Sequence, residues 1–301
     1  MTLKSINFLL SFALLSLIIG CQSTQQSDDV DTSSSTEVLH SEFTLPPLPD
    51  SVEFCGEFIL LDDFDIRERL DKELIVNTFY HSSTIQSLKR ANRYFDDIEK
   101  TLQKEGIPTD FKYLCLIESG LTQAVSPAGA KGFWQFMPKT AKEFNLVINK
   151  EIDERLHIER STIAACAYLN DANDRFSDWV LTAASYNMGM GGVKNALESQ
   201  EVDSYFDLYL SNETSRYVFR ILALKMIFEN QEAYGFNSEN LELYEPIATR
   251  LVNITETVRD LKHWAVEQGT NYRKLKVLNP WIIGSKLTCK KGEVLTIQLP
   301  E

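Results

Sequence analysis

Glu118 is a lone carboxylate in apolar, aromatic and glycine-punctuated surroundings. It lies in the run Leu116-Ile117-Glu118-Ser119-Gly120-Leu121, and Ser126-Pro127-Ala128-Gly129-Ala130-Lys131-Gly132-Phe133-Trp134-Gln135-Phe136-Met137-Pro138 follows closely. A carboxyl group in such company holds its proton toward neutral pH, because desolvation disfavours the charged form. A neutral carboxyl donates a proton to a leaving oxygen and, once ionised, takes one back. On a helix beginning near Thr109, Phe111, Leu114, Cys115 and Ile117 define an apolar stripe, and Glu118 falls within it. A glutamate on a buried face is costly unless it is paired or protonated. The plainer alternative is a frayed helix end whose Glu bends to water or to an arginine.

Three further blocks carry polar groups where chemistry needs them. In 126–132, Pro127 fixes a turn, and Gly129 and Gly132 permit backbone geometry that side chains block. Phe133 to Met137 then adds apolar bulk and one amide, Gln135, which suits a sugar-binding wall or equally a core segment. In 183–193, Tyr186 and Asn187 stand where a small-residue helix gives way to glycines. The block has no G-x-x-x-x-G-K-[ST] pattern and is not a phosphate loop. In 213–218, Glu213 and Thr214 open a helix and Tyr217 follows, an arrangement that an ordinary half-buried aromatic also explains.

The elements that must position these groups are mostly helices. Positions 85, 88, 91, 92, 95, 98 and 102 recur at helical spacing, and 51–106 reads as a helical N-terminal extension. Helices are expected at 110–119, 138–144, 160–176, 179–186 and 214–229, and period-two alternation is almost absent over 109–230. The last stretch, 244–301, changes character: a strand at 250–252, helices at 257–268 and 272–278, and a strand at 291–297 form a β-α-α-β module.

The chain has 301 residues, is 44% hydrophobic and carries a formal charge of −13. That charge argues against nucleic acid as a partner, since such binding rests on Lys and Arg neutralising phosphates. Residues 1–20 read as a signal peptide, with Lys4 before an apolar run from Phe8 to Ile19. Small residues then precede Cys21, as in a bacterial lipobox, which makes Cys21 a lipidation site; a plain secretory signal is the alternative. Residues 21–50 are a Ser/Thr/Gln/Asp-rich tether too polar to fold. Export places Cys55, Cys115, Cys166 and Cys289 in an oxidising compartment, as buried thiols or as disulfides. His40, His81, His157 and His263 show no metal-ligand spacing, so no metal site is expected. No motif supports a cysteine nucleophile at Cys115 or Cys166 with His157.

Taken together and in order, Ile117-Glu118-Ser119, Gly129-Ala130-x-Gly132-x-x-Gln135-x-Met137-Pro138, Ala184-x-Tyr186-Asn187-x-Gly189 and Glu213-Thr214-x-x-Tyr217-Val218 resemble the lysozyme-like domain of the soluble-lytic-transglycosylase family. The likeness covers 107–224. It implies a mainly α fold, a lysozyme-like helical catalytic domain over 107–240, with the β-α-α-β module at 244–301. It implies that Glu118 is the sole catalytic acid/base, that Ser126, Gln135, Tyr186 and Asn187 line a sugar cleft, and that Tyr217 is a further cleft residue. The substrate implied is the glycan strand of peptidoglycan, cut without cofactor and with formation of a 1,6-anhydromuramoyl end. A hydrolytic muramidase of the same fold and a non-catalytic peptidoglycan-binding lipoprotein are the alternatives. Trp134 stands where the family has a smaller residue, which is expected to alter a subsite.

The C-terminal module resembles a degenerate LysM domain through Thr257-Val258-x-x-Leu261, Tyr272-x-x-Leu275, Leu278-Asn279-Pro280 and Gly292-x-x-Leu295-x-Ile297. Its usual Gly-Asp-Thr turn is replaced by Thr255-Glu256-Thr257, so a packing module without a ligand is the alternative. These resemblances, with Cys21, imply a periplasm-facing lipoprotein of the cell envelope, and the lack of an acidic residue at Gln22 and Ser23 favours the outer over the inner membrane.

Overall fold

A computed structural model describes residues 45–237 and 241–301. The signal peptide, Cys21 and the tether up to residue 44 lie outside the described residues. Among the described residues, no helix is long and apolar enough to cross a membrane.

The described chain opens with a β-hairpin, β1 (Ser51–Phe54) and β2 (Glu57–Leu60), antiparallel with Phe54 opposite Glu57. This corrects the wholly helical reading of 51–106. Val52 and Phe54 point inward, and the turn uses φ of 54° at Cys55 and 89° at Gly56. Helices α1 (Phe64–Phe79) and α2 (His81–Lys104) follow. Asp63 starts α1 by accepting the Asp65 and Ile66 amides, satisfying donors that a helix start leaves unpaired. The periodic apolar face of α2 is buried through Leu88, Ala91, Ile98 and Leu102.

Helix α3 (Phe111–Ser119) is short and buried nearly all round, with Phe111, Tyr113, Leu114, Cys115 and Leu116 inside. It therefore lies inside the domain, where a single-stripe helix would lie at its surface. Gly120 ends it at φ 58°, its amide donating to Leu116 O at 2.7 Å. After an irregular loop come α4 (Pro138–Glu143), a 3-10 turn at Glu154–Leu156, α5 (Ile158–Phe176), α6 (Trp179–Met188) and α7 (Met190–Gln200). Helix α8 (Asn212–Glu229) is buried from Tyr217 to Ile227 except at Arg220, and packs against α1, α3 and α6.

Two ion clusters, each centred on one buried charge, fix α8. The Arg216 guanidinium grips the Glu73 carboxylate of α1 with two hydrogen bonds. Lys225 reaches Asp110, Glu53 and Glu229 at 2.9, 2.9 and 3.0 Å. Burial alone pushes this ammonium toward neutrality, but the three carboxylates outweigh it and raise its pKa. The cluster ties the hairpin and the start of α3 to α8.

The C-terminal module has the expected β-α-α-β order: β3 (Thr249–Ile254), α9 (Leu261–Glu267), α10 (Tyr272–Leu278) and β4 (Leu295–Pro300). Strands β3 and β4 pair antiparallel with Val252 opposite Ile297. A separate core of Leu261, Leu275, Ile282, Leu287, Ile297 and Leu299 holds it together. Buried Asn279 donates to Leu275 O and Gln298 O and accepts from the Gln298 amide at 2.8 Å, so its side chain splices α10 onto β4. Mainly helical architecture with a small two-stranded C-terminal module is thus the fold the sequence led us to expect.

Candidate active site

Helix α3 delivers Glu118 in its last turn, half-buried. Helix α8 delivers Glu213, Tyr217 and Arg220, spaced four and three residues apart and hence on one face. The Tyr217 hydroxyl donates to Glu118 Oε1 at 2.5 Å. Arg220 donates to Ile117 O at 3.4 Å, next to the glutamate. Burial raises the Glu118 carboxyl above the ordinary range; the Tyr217 hydrogen bond and the Arg220 charge pull it down without cancelling that, and Glu213 pushes it up. The other acid near this helix, Asp110, is spent on Lys225 and on the Cys55 amide. Glu118 therefore holds its proton more tightly than an exposed glutamate does.

The loop between α3 and α4 is the second wall. Ser126 Oγ accepts the Ala130 amide at 3.0 Å, closing the turn around Gly129. Gln135 adopts φ 47°, and its amide nitrogen donates to Ala124 O at 3.1 Å and Gly132 O at 2.8 Å. Both side chains thus brace the loop backbone, and neither bonds Glu118. Phe133, Trp134 and Phe136 turn inward and are buried, which favours the core-segment alternative for these three side chains. Trp134 Nε1 donates to Thr162 Oγ1 at 2.9 Å, so the large indole is fully buried in the core. The stretch is a tight turn with no strand pairing beyond isolated bridges at Lys131.

Tyr186 comes from α6. Its hydroxyl donates to Trp134 O at 2.8 Å, and its ring packs against Trp134, Phe136 and Tyr168. Burial and the neighbouring Glu118 charge both raise its phenol pKa. Asn187 follows in the last turn of α6, half-buried. The structure thus joins Glu118 to Tyr217 by a hydrogen bond and sets Tyr186 where its phenol feels the Glu118 charge, with Ser126 and Gln135 holding the adjoining loop.

Sequence reasoning missed Asp153 and Arg155. Arg155 bonds both Asp153 oxygens at 2.9 and 2.8 Å, and its Nη1 donates to Gly129 O and Phe136 O at 2.8 and 3.1 Å. Lys131 joins Asp153 at 3.3 Å. Burial pushes the Asp153 carboxyl up, but Arg155 and Lys131 outweigh that and lower it. In the sequence this is a charged run, which reads as a solvated face; only the fold shows it to be buried.

The thiols offer no rival chemistry. Cys55, Cys115, Cys166 and Cys289 are all free. Burial raises the first three, which removes the thiolate that a nucleophile requires. Among the described residues no group of His, Cys, Asp and Glu is arranged to hold a metal.

The half-buried acid under its tyrosine sits in a helical region for which family models find a match. Residues 96–207 match the Transglycosylase SLT domain, and residues 250–301 match the Soluble lytic transglycosylase C-terminal LysM-like domain. The chain thus carries an SLT transglycosylase domain followed by a LysM-like domain. It is homologous to Membrane-bound lytic murein transglycosylase D of Escherichia coli K12, 28% identical over 293 residues and 90% of this chain. The same protein from Escherichia coli O6:H1 matches equally, and the chain spans 63% of the length of these relatives. Among solved structures, an inactive mutant of lytic transglycosylase Slt from Pseudomonas aeruginosa is 23% identical at a TM-score of 0.38, over 49% of this chain and 25% of that one. The 70 kDa soluble lytic transglycosylase of Escherichia coli is 22% identical at a TM-score of 0.39, over 50% of this chain and 27% of its own.

Proposed function

We propose that this chain is a peptidoglycan lytic transglycosylase that cuts the β-1,4 bond between N-acetylmuramic acid and N-acetylglucosamine, with Glu118 as its single acid/base. The observation that carries the reading is the Tyr217–Glu118 hydrogen bond around a carboxyl of raised pKa, with the nearby Asp110 committed elsewhere. Most glycosidases need a second carboxylate to attack or to activate water. A ring-closing reaction needs none.

In this scheme Glu118 gives its proton to the glycosidic oxygen as the bond from C1 breaks. The substrate's own N-acetyl oxygen stabilises the anomeric centre. The C6 hydroxyl of the same muramoyl sugar then bonds to C1, and its proton returns to Glu118. A 1,6-anhydro ring forms, no water is consumed and the acid is regenerated. Tyr217 holds the carboxylate in the ionised interval, since a donor to the charged form favours it. Ser126, Gln135, Tyr186 and Asn187 are assigned to the cleft wall that holds the glycan and its acetamido group.

The relatives' name, membrane-bound lytic murein transglycosylase, supports the substrate and a cell-envelope setting. We assign Cys21 as the lipid-bearing residue, after a signal peptide at 1–20, with 21–50 as tether, and place the protein in the outer membrane facing the periplasm. We take 51–106 as an N-terminal extension, 107–240 as the catalytic domain and 244–301 as a peptidoglycan-facing LysM-like module.

Digestion of purified sacculi, with muropeptides read by mass, tests the chemistry. Anhydromuramoyl ends are expected. Reducing ends carrying one added water would establish a muramidase instead, and binding without product would leave a wall-binding lipoprotein.

A further inference from the structure

The 151–157 segment is bonded on one side to the C-terminal module and on the other to the loop beside Glu118. On the module side, Ile283 and Gly284 amides donate to Glu151 O at 2.8 and 3.0 Å, and the Asp153 amide donates to Trp281 O at 2.8 Å. The Glu151 carboxylate accepts the Thr288 amide at 2.8 Å and pairs with Lys286 at 3.0 Å. Ile152 bridges Ile282, and the Trp281 ring lies 5.5 Å from that of His157. The fit is close: a Cβ on Gly284 would sit 3.0 Å from Glu151 Cα.

On the loop side, the Arg155 fork binds Asp153 and two loop carbonyls at once. Its own carbonyl oxygen lies 1.9 Å from where a Cβ on Gly132 would stand. The loop in turn touches the elements around the acid. Phe133 O accepts from Cys115 Sγ on α3 at 3.6 Å, and Trp134 O accepts from Tyr186 on α6 at 2.8 Å.

We propose that Arg155 is a positioning residue for Glu118, and that the docked C-terminal module holds it in place through the 151–157 segment. The module then sets the geometry of the catalytic wall, whether or not it binds glycan. This inference rests on Glu118 being the acid. Its chemistry is that of a buried fork: remove it, and buried Asp153 keeps only Lys131 while the Gly129 and Phe136 carbonyls each lose a donor. Lysine carries the charge but not the planar, multiply donating geometry.

The test uses the full chain on soluble glycan strands. Arg155→Lys is expected to fold, to lose about 10- to 100-fold in kcat/KM, and to move the alkaline limb of its pH profile to lower pH. That shift follows because a loosened loop admits water to Glu118. The groups facing Glu118 are Tyr217, Arg220 and Glu213 from α8, Tyr186 from α6 and Cys115 on its own helix. Of these, Tyr186 and Cys115 are the two bonded to the loop and carry its displacement to Glu118; a mere loss of stability lowers the folded fraction and leaves the limb in place. A folded Arg155→Lys with wild-type rate and limb overturns the inference. Gly284→Val is the second arm: amide exchange is expected to quicken across 126–136 as well as at the module seam. Quickening at the seam alone removes the module from the scheme. Glu118→Gln separates the two ideas: if it retains activity, the acid assignment has failed; if it is inactive while Arg155→Lys is normal, only the positioning role has.

Discussion

The Tyr217 hydroxyl donates to Glu118 Oε1 at 2.5 Å, joining two residues 99 positions apart in the chain. One is at the end of a helix buried nearly all round, the other at the point where α8 enters the core. Their pairing leaves Glu118 able to exist in either protonation state. Burial favours the neutral acid, and the phenol donor supports the carboxylate that follows proton transfer.

Tyr217→Phe separates these two effects. Without the donor, the Glu118 carboxyl rises further, since the hydrogen bond is what lowers it. The alkaline limb of kcat/KM is therefore expected to move to higher pH. The rate at the optimum falls by about tenfold or more, in keeping with the loss of a hydrogen bond to a charged group. A pH–rate profile on soluble glycan strands checks both, and a limb that moves down contradicts the geometry.

Glu118→Gln is expected to remove about 10²–10⁴-fold of the rate, the usual contribution of a positioned acid/base. It also carries a stability signature. A carboxyl whose pKa is raised on folding binds more protons in the native state than in the unfolded state, between the two pKa values. Stability therefore falls as pH rises from the unfolded Glu value of about 4.3 through the raised native value. The amide does not titrate and still offers Tyr217 an acceptor. Its melting temperature should match wild type near pH 4, exceed it increasingly across that window and keep a constant margin above it.

Much of this fold can be read from the chain, for reasons that differ by element. Helix α10 was expected at 272–278 and lies there, because Asn271 caps its start and Asn279-Pro280 stops it. The hairpin at 51–60 was not expected. Its four-residue strands carry too few alternations, and a positive φ falls on Cys55. Helix α7 was hidden by Gly191 and Gly192, which read as loop. At the site, Glu118 was legible because an acid among apolar residues demands an explanation. Its bond to Tyr217 was not, since nothing local links the two segments. Trp134 and Phe136 were ambiguous for a physical reason: core and sugar platform use the same side chains. Arg155 escaped because a buried ion pair and a solvated charge run look alike until the fold excludes water.

Gly132→Ala tests the loop's fit. Gly132 has φ 79°, and an added Cβ would meet the Arg155 carbonyl oxygen at 1.9 Å. That oxygen is backbone and does not move aside easily. The substitution combines left-handed strain with a steric clash and should cost at least about 2 kcal/mol in urea denaturation. Gly129→Ala is the control. Its φ is 90° but no atom lies within 4 Å of the added Cβ, so only the conformational part of the cost remains.

His157 makes the module seam sensitive to acid. Its ring packs tilted against Trp281, it starts α5 by accepting the Arg160 amide at 3.4 Å, and burial, with Arg160 beside it, lowers its pKa to about 4. Between about 4 and the unfolded value of about 6.5, the unfolded chain binds more protons at this residue than the native one. Its contribution to stability is therefore fully present above 6.5 and lost as pH falls toward 4. His157→Asn keeps a side chain able to cap α5 but cannot titrate. Its denaturation midpoint should depend less on pH between 6.5 and 4 than that of the wild type. A wild-type slope in this variant would place the acid sensitivity on other groups.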